Sequence, residues 1–181
     1  MLSPGPNPVQ LDFSTPAANE FAAIAVDYVN KGGDKSADNY TDYKKTTNPN
    51  LKVVFLDKLT TLSDQVTPKI LSKIDADLNV TLDINPEVGQ RWFPLSIQVN
   101  YQDAFPAAKK YAQSIGRQKY ILPVYTALVQ NGMRNLAYQW FNERKDFYHP
   151  LAAKKIRAII FSTMPEEPQM EAPSTASLFL Q

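Results

Sequence analysis

Residues 15–33 read TPAANEFAAIAVDYVNKGG, and this stretch decides the fold class. Its apolar residues recur at i, i+3, i+4, i+7 and i+8, which is the spacing of one face of an amphipathic α-helix. These residues are Phe21, Ile24, Ala25, Tyr28 and Val29. Thr15-Pro16 supplies an N-cap oxygen followed by a proline at the first helical position. Gly32 and Gly33 end the helix, because glycine adopts the left-handed cap conformation at little cost.

The same combination of a capping residue, a proline and an apolar helical face recurs along the chain. Thr67-Pro68, Asn85-Pro86 and His149-Pro150 predict further helix starts, and Asp103 is predicted to cap another helix. Pro94 is predicted to kink or interrupt the helix that begins at Asn85-Pro86, because proline removes a backbone donor. No segment shows sustained strand alternation. The pattern predicts an all-α protein of about eight helices.

Short helices joined by short turns favour antiparallel neighbours, so the predicted architecture is an irregular two-layer stack. It would be HEAT- or armadillo-like, with a right-handed superhelix, although no fixed-period repeat is present. The polar segment 40–50, YTDYKKTTNPN, is predicted to be a long connection. Residues 1–161 are predicted to form one helical domain. Residues 162–181 form a Pro-rich tail with few core-forming residues and are predicted to be disordered.

Composition excludes several classes of function. The 181 residues are 44% hydrophobic and contain no cysteine, so a sizeable core is expected, but disulfides, thiolate metal sites and thiol nucleophiles are not. No apolar run approaches the ~20 residues that span a bilayer, so no membrane association is expected. The first residues, MLSPGPNPVQLDF, do not resemble a signal peptide. The expected location is cytoplasmic.

Charge is distributed unevenly along the chain. The stretch from Lys109 to Arg157 holds 10 basic residues, and only Glu143 and Asp146 oppose them. Such a stretch either forms solvated outer helix faces or attracts an anionic ligand or nucleic acid. Most aromatic residues near it fall on apolar helix faces, so nucleic acid binding is not favoured. Within the stretch, the segment 114–123, SIGRQKYILP, places Arg117 and Lys119 at a junction between two predicted helices.

Catalytic motifs are missing from the sequence. The single histidine, His149, precedes a proline at a predicted helix start, which is typical of a capping or packing residue. Zinc sites need three or four suitably spaced ligands, and the sequence has no such group. It also lacks a nucleophile elbow and a phosphate-binding glycine loop. The chain by itself is therefore expected to have no catalytic residues and no metal site.

A longer run of motifs carries a family resemblance. Asn85-x-Glu87, Arg91-Trp92, Leu95-x-Ile97, Asp103-Ala104, Gly116-Arg117-x-Lys119, Pro123 and His149-Pro150 occur in that order. Together they resemble the C-terminal domain of leukotriene A4 hydrolase and its relatives among the M1-class zinc aminopeptidases. The opening Ser3-Pro4-Gly5 is similar to the junction that enters this domain, so the resemblance covers residues 2–160.

The resemblance implies a function for the two cations. In that family the Arg and Lys of the corresponding segment bind the free carboxylate of a short peptide or a fatty-acid-derived epoxide, and these residues are Arg117 and Lys119 here. It also implies an upstream catalytic domain of the same protein as partner, with zinc in that domain. The activity would be that of an aminopeptidase, with epoxide hydrolysis as an additional activity decided by residues outside this chain. The alternative from the residues alone is a free-standing helical-repeat scaffold that binds a protein partner through the basic stretch.

Overall fold

Prolines and their capping residues mark the helix starts in the computed structural model, which describes residues 15–162. The side chains of Thr15, Thr67, Asn85 and His149 each accept a hydrogen bond from a backbone amide of the following turn, over 3.0–3.3 Å. The predicted helix starts are therefore confirmed, and so is the capping role of His149. Gly32 and Gly33 have φ of 59° and 80°, the left-handed conformation predicted for the end of the first helix.

The described residues contain helices and turns but no strand, which confirms the all-α prediction. Short 3₁₀ turns lie between some of the helices. The α-helices in this part of the chain are α1 Pro16–Asn30, α2 Tyr40–Lys45, α3 Pro49–Thr61, α4 Pro68–Leu78, α5 Pro86–Gln98, α6 Phe105–Ser114, α7 Gln118–Gln130, α8 Arg134–Glu143 and α9 Pro150–Phe161.

The odd-numbered helices form a row in which each helix packs against the next, from α1 through α3, α5 and α7 to α9. The even-numbered helices pack against this row, with α4 on α1, α6 on α5 and α7, and α8 on α7 and α9. This arrangement agrees with the predicted irregular two-layer stack. The HEAT- or armadillo-like character and the right-handed superhelix stay predictions. The row places α5 and α7 side by side, and the candidate site lies between their first turns.

Two local predictions are wrong, and a third is narrowed. Segment 40–50 is not one long connection, because α2 and the start of α3 lie within it. Tyr43 explains this, since its ring is buried and lies 5.0 Å from the ring of Phe55. Asp103 forms no side-chain cap, because a 3₁₀ turn at Gln102–Ala104 leads directly into α6. Pro94 does not interrupt α5, which runs through it, and the kink predicted as the alternative stays a prediction.

Two buried tyrosines connect three of the later elements. The hydroxyl of Tyr148 donates to the carbonyl of Ala112 in the last turn of α6 over 2.8 Å. The hydroxyl of Tyr125, in α7, lies 2.9 Å from that of Tyr148. Because a helix leaves its last carbonyls without partners inside the helix, Tyr148 acts as a C-terminal cap for α6.

The termini lie outside this description. The predicted tail, apart from its first residue Ser162, and the segment Ser3-Pro4-Gly5 are outside the described residues. The predicted domain limits of 1–161 and 162–181 therefore stay predictions. None of the helices within residues 15–162 is long and apolar enough to cross a membrane.

Candidate functional site

Arg117 and Lys119 both lie at the beginning of α7. Arg117 is the N-cap residue, and Lys119 is the second residue of the helix. The first turn of α7 contains no acidic residue, and the N-cap side chain accepts no capping hydrogen bond. Since the amino end of a helix carries a partial positive charge, two cations there are unfavourable unless an anion balances them. A negative group from another element would therefore stabilise this turn.

The ring of Tyr120 contacts both cations. The guanidinium carbon of Arg117 lies 5.5 Å from the ring centroid, and the Lys119 ammonium lies 5.3 Å from it. Contacts of this kind contribute about 0.5–1 kcal/mol at exposed sites and hold the cation in place. Arg117 is exposed and, among the described residues, forms no ion pair. Its planar fork of donors therefore remains available for a carboxylate.

Lys119, by contrast, already has a carboxylate partner. Its Nζ donates to Oε1 of Glu87 over 2.5 Å, and the Tyr120 hydroxyl donates to the same oxygen over 2.9 Å. Glu87 lies at the start of α5, where the amino end of that helix also favours a negative charge. The first turns of α5 and α7 are thus joined by one carboxylate.

These contacts lower the pKa of Glu87 from its ordinary value to about 2. The largest cause is the hydrogen bond from Lys119, and the hydrogen bonds from Tyr120 and Arg91 act in the same direction, whereas burial opposes them. Each of these donors stabilises the ionised form of the carboxyl group. Glu87 therefore stays negatively charged throughout the physiological pH range.

Arg91 and Asp57 complete the arrangement. The Nη1 of Arg91 donates to Glu87 Oε2 over 3.1 Å, and its Nε donates to Asp57 over 2.5 Å. We call the set the α5–α7 cluster. Its members are Asp57, Glu87, Arg91, Arg117, Lys119 and Tyr120. It holds three cations and two carboxylates, which gives a net charge of +1.

Close packing positions the first turn of α5. The Tyr111 hydroxyl donates to the carbonyl of Pro86 over 2.8 Å, and the Tyr111 ring lies 5.0 Å from that of Phe93. Gly89 faces this ring, and a Cβ atom at position 89 would lie 2.4 Å from Tyr111 Cε2. The absence of a side chain at Gly89 therefore allows α6 to approach α5 directly below Glu87.

A cleft begins beside the cluster. Its first part, about 280 Å³, is lined by Asp57 and Arg91 together with Pro94 and Pro123. The second part, about 620 Å³, shares those prolines and continues along α5 and α7 to Asn131. Oε1 of Gln90, which also lines the first part, is a buried atom without a hydrogen-bond partner in the structure. The cleft thus offers apolar walls with side-chain amides close to a charged end.

Two other basic residues of the stretch, Lys109 and Arg144, have partners outside the α5–α7 cluster. Lys109 pairs with Glu143 over 2.6 Å, and Arg144 lies over the ring of Phe147 at 5.2 Å. No group of three or more His, Cys, Asp or Glu side chains within residues 15–162 could hold a metal ion. The described residues therefore do not fit the zinc ion that the resemblance implies for the parent enzyme.

The family resemblance predicted Arg117 and Lys119 but not the residues that surround them. Glu87 and Arg91 belong to the family pattern, but the resemblance assigns them no role, and neither Asp57 nor Tyr120 is predicted to take part. Lys119 and Glu87 are 32 residues apart in sequence, and Arg91 and Asp57 are 34 apart. A local pattern carries no signal for such pairs. The sequence indicated only that Glu87 follows a helix start and that Lys119 lies at a junction between helices.

Comparison with known proteins gives consistent matches. A family model described as "Leukotriene A4 hydrolase, C-terminal" matches residues 47–160. A protein named leucine aminopeptidase 2 from Aspergillus niger is 28% identical over 109 residues, which are 60% of this chain and 18% of that protein. The protein of the same name from Yarrowia lipolytica is 34% identical over 67 residues, which are 37% and 10% of the two chains. The chain thus spans about a fifth or less of the length of these curated relatives.

Proposed function

Because the chain belongs to the family of leukotriene A4 hydrolase C-terminal domains, we propose that it is the C-terminal helical domain of a zinc aminopeptidase. In this proposal the chain completes a substrate tunnel next to an upstream catalytic domain of the same protein, which would contain the zinc. The cytoplasmic location and an additional epoxide hydrolase activity belong to the same proposal. The chain itself would supply binding rather than chemistry.

Arg117 is proposed as the principal group that holds the free carboxylate of the substrate. The observation that carries this role is its position at the amino end of α7, exposed, stacked on Tyr120 and without an ion pair among the described residues. A guanidinium can bind a carboxylate through two parallel hydrogen bonds. Lys119 supplies a second positive charge from its position beside Glu87. The cleft along α5 and α7 would form one wall of the tunnel.

Binding the far end of a substrate contributes to the reaction even though no bond changes there. A carboxylate held at Arg117 fixes how far the peptide reaches into the enzyme, and this orients the bond to be cleaved. Peptides with a free carboxyl terminus would therefore be better substrates than amidated ones.

The test is the substitution Arg117→Ala in the complete protein that carries this chain. We expect kcat/KM for tripeptides to fall about 10- to 1000-fold, which corresponds to a loss of about 1.4–4 kcal/mol of transition-state binding. An amidated tripeptide should be affected much less. Arg144→Ala is the matched control, because Arg144 is also an exposed arginine over an aromatic ring. Unchanged tripeptide kinetics in Arg117→Ala would refute the role.

The mass of the native protein distinguishes this proposal from the free-standing scaffold. An antibody against the chain should detect a band several-fold heavier than 20.4 kDa in an extract of the source cells. A band at 20.4 kDa would instead support an independent scaffold.

A further inference from the structure

The net charge of the α5–α7 cluster depends on two carboxylates, Asp57 and Glu87, that do not themselves contact the substrate in the proposed function. Arg91 is balanced by Asp57 over 2.5 Å, and Lys119 is balanced by Glu87 over the same distance. Arg117 is the remaining cation. If Glu87 were neutral, the cluster would carry a net charge of +2 instead of +1.

Glu87 lies within the site rather than behind it. Its Oε1 accepts hydrogen bonds from both Lys119 and Tyr120, and the Tyr120 ring contacts Arg117. A negative group bound at Arg117 is therefore near a permanent negative charge, which Lys119 and Arg91 offset in part. Two unit charges about 4 Å apart in water change each other's affinity about fivefold, and the effect becomes smaller as the distance grows.

We infer that Glu87 restricts the site to a substrate end that bears one negative charge. The inference rests on the proposed function of Arg117. A single carboxylate neutralises the net charge of the cluster. A second carboxylate on the same residue finds no further unpaired cation in the cluster and is repelled by Glu87. Glu87 is thus a specificity-determining residue, and peptides that end in Asp or Glu are disfavoured relative to those that end in Asn or Gln.

The same geometry assigns a second task to Glu87. By holding Lys119 and Tyr120 together it fixes the ring on which Arg117 lies. Its removal should therefore loosen the arrangement of Arg117 slightly while it adds net positive charge. For a monoanion, the looser arrangement of Arg117 weakens binding and the added positive charge strengthens it, so the two effects oppose each other. For a dianion the electrostatic gain is larger, because both of its negative charges are attracted by the added positive charge. The ratio of the two affinities is the quantity that isolates the charge effect.

The experiment uses two probe peptides of nearly equal size, N-acetyl-Ala-Asn and N-acetyl-Ala-Asp, which carry one and two negative charges at neutral pH. Binding to the 181-residue chain is followed by chemical-shift titration of the Arg117 side chain and of the backbone amides of α7. Low ionic strength is used, because salt screens exposed charges. The unsubstituted protein should bind the Asp peptide no more tightly than the Asn peptide.

Glu87→Gln should shift the affinity ratio toward the Asp peptide by about three- to tenfold. Glu143→Gln is the matched control, because Glu143 also accepts a hydrogen bond from a lysine on the surface, and it should leave the ratio unchanged. Arg117→Gln should weaken the binding of both peptides. For this variant only the chemical shifts of the α7 backbone amides are followed. If Arg117→Gln weakens both and Glu87→Gln leaves the ratio within twofold, the inference is wrong and the carboxylate site stands. If Arg117→Gln changes neither affinity, the carboxylate site fails and the inference with it.

Discussion

Replacing Glu87 with glutamine should reduce the stability of the folded chain, and the loss should depend on pH. The pKa of Glu87 is lowered from 4.5 to about 2, chiefly by Lys119, so its ionised form is favoured in the folded state. One pKa unit corresponds to about 1.4 kcal/mol, which gives an upper value of about 3 kcal/mol. Because 31% of the side chain is exposed, solvent screening reduces this, and we expect a loss of about 1–2 kcal/mol at neutral pH.

The direction of the pH dependence follows from the lowered pKa. The contribution of Glu87 is fully present above the unfolded pKa of about 4.5, and it is lost as the pH falls through the folded pKa of about 2. The difference in unfolding free energy between the unsubstituted protein and Glu87→Gln should therefore be largest at about pH 7. By about pH 3 more than half of that difference should have disappeared.

Urea unfolding followed by far-ultraviolet circular dichroism, at several pH values between about 7 and 3, measures this difference. Glu20→Gln is the matched control, because Glu20 is exposed in α1 and has no ion-pair partner within the described residues. It should change the unfolding free energy by less than about 0.5 kcal/mol at neutral pH. A Glu87→Gln variant as stable as the unsubstituted protein, or a difference that stays constant as the pH falls, would contradict the reasoning.

Two further predictions concern the packing that supports the site. Gly89→Ala should lower the unfolding free energy, measured by urea unfolding, by about 1–2 kcal/mol. Tyr111 is held by Pro86 and Phe93, so it cannot move away from the new methyl group. A stabilised variant would show that helix propensity outweighs the clash. Tyr148→Phe should cost about 1–3 kcal/mol, because it leaves the Ala112 carbonyl and the Tyr125 hydroxyl without partners, whereas Tyr125→Phe should cost only about 1 kcal/mol. Equal losses in the two tyrosine variants, measured by the same unfolding assay, would argue against the capping role of Tyr148.

Local sequence signals predicted the helices well where capping and periodicity agreed. In α1 the N-cap Thr15, the buried face and the glycines at the end are all confirmed. The sequence did not predict α2, because its six residues are mostly polar. The helix is held in place by Tyr43, which is buried against Phe55 of α3. Propensity describes a segment by itself, and tertiary packing decides such short helices.

The candidate site shows the same division between local and distant information. Family motifs indicated Arg117 and Lys119, but the ion pair between Lys119 and Glu87 depends on how α5 and α7 pack. That packing brings together residues from two helices that no periodicity relates. The pairing of charges at the site therefore became known only from the fold, whereas Arg117 and Lys119 were predicted from the sequence.

The proline inside α7 has a mechanical consequence for the residues before it. Pro123 has no amide proton, so the carbonyl of Lys119 lacks the hydrogen bond that continues a helix into its next turn. Beyond Pro123, the helix is anchored in the core by buried residues such as Val124, Tyr125 and Leu128. The turn that carries Arg117 and Lys119 is thus joined to the rest of α7 by fewer backbone hydrogen bonds than an ordinary first turn. The contacts that Lys119 and Tyr120 make with Glu87 therefore carry a larger share of what holds this turn in place.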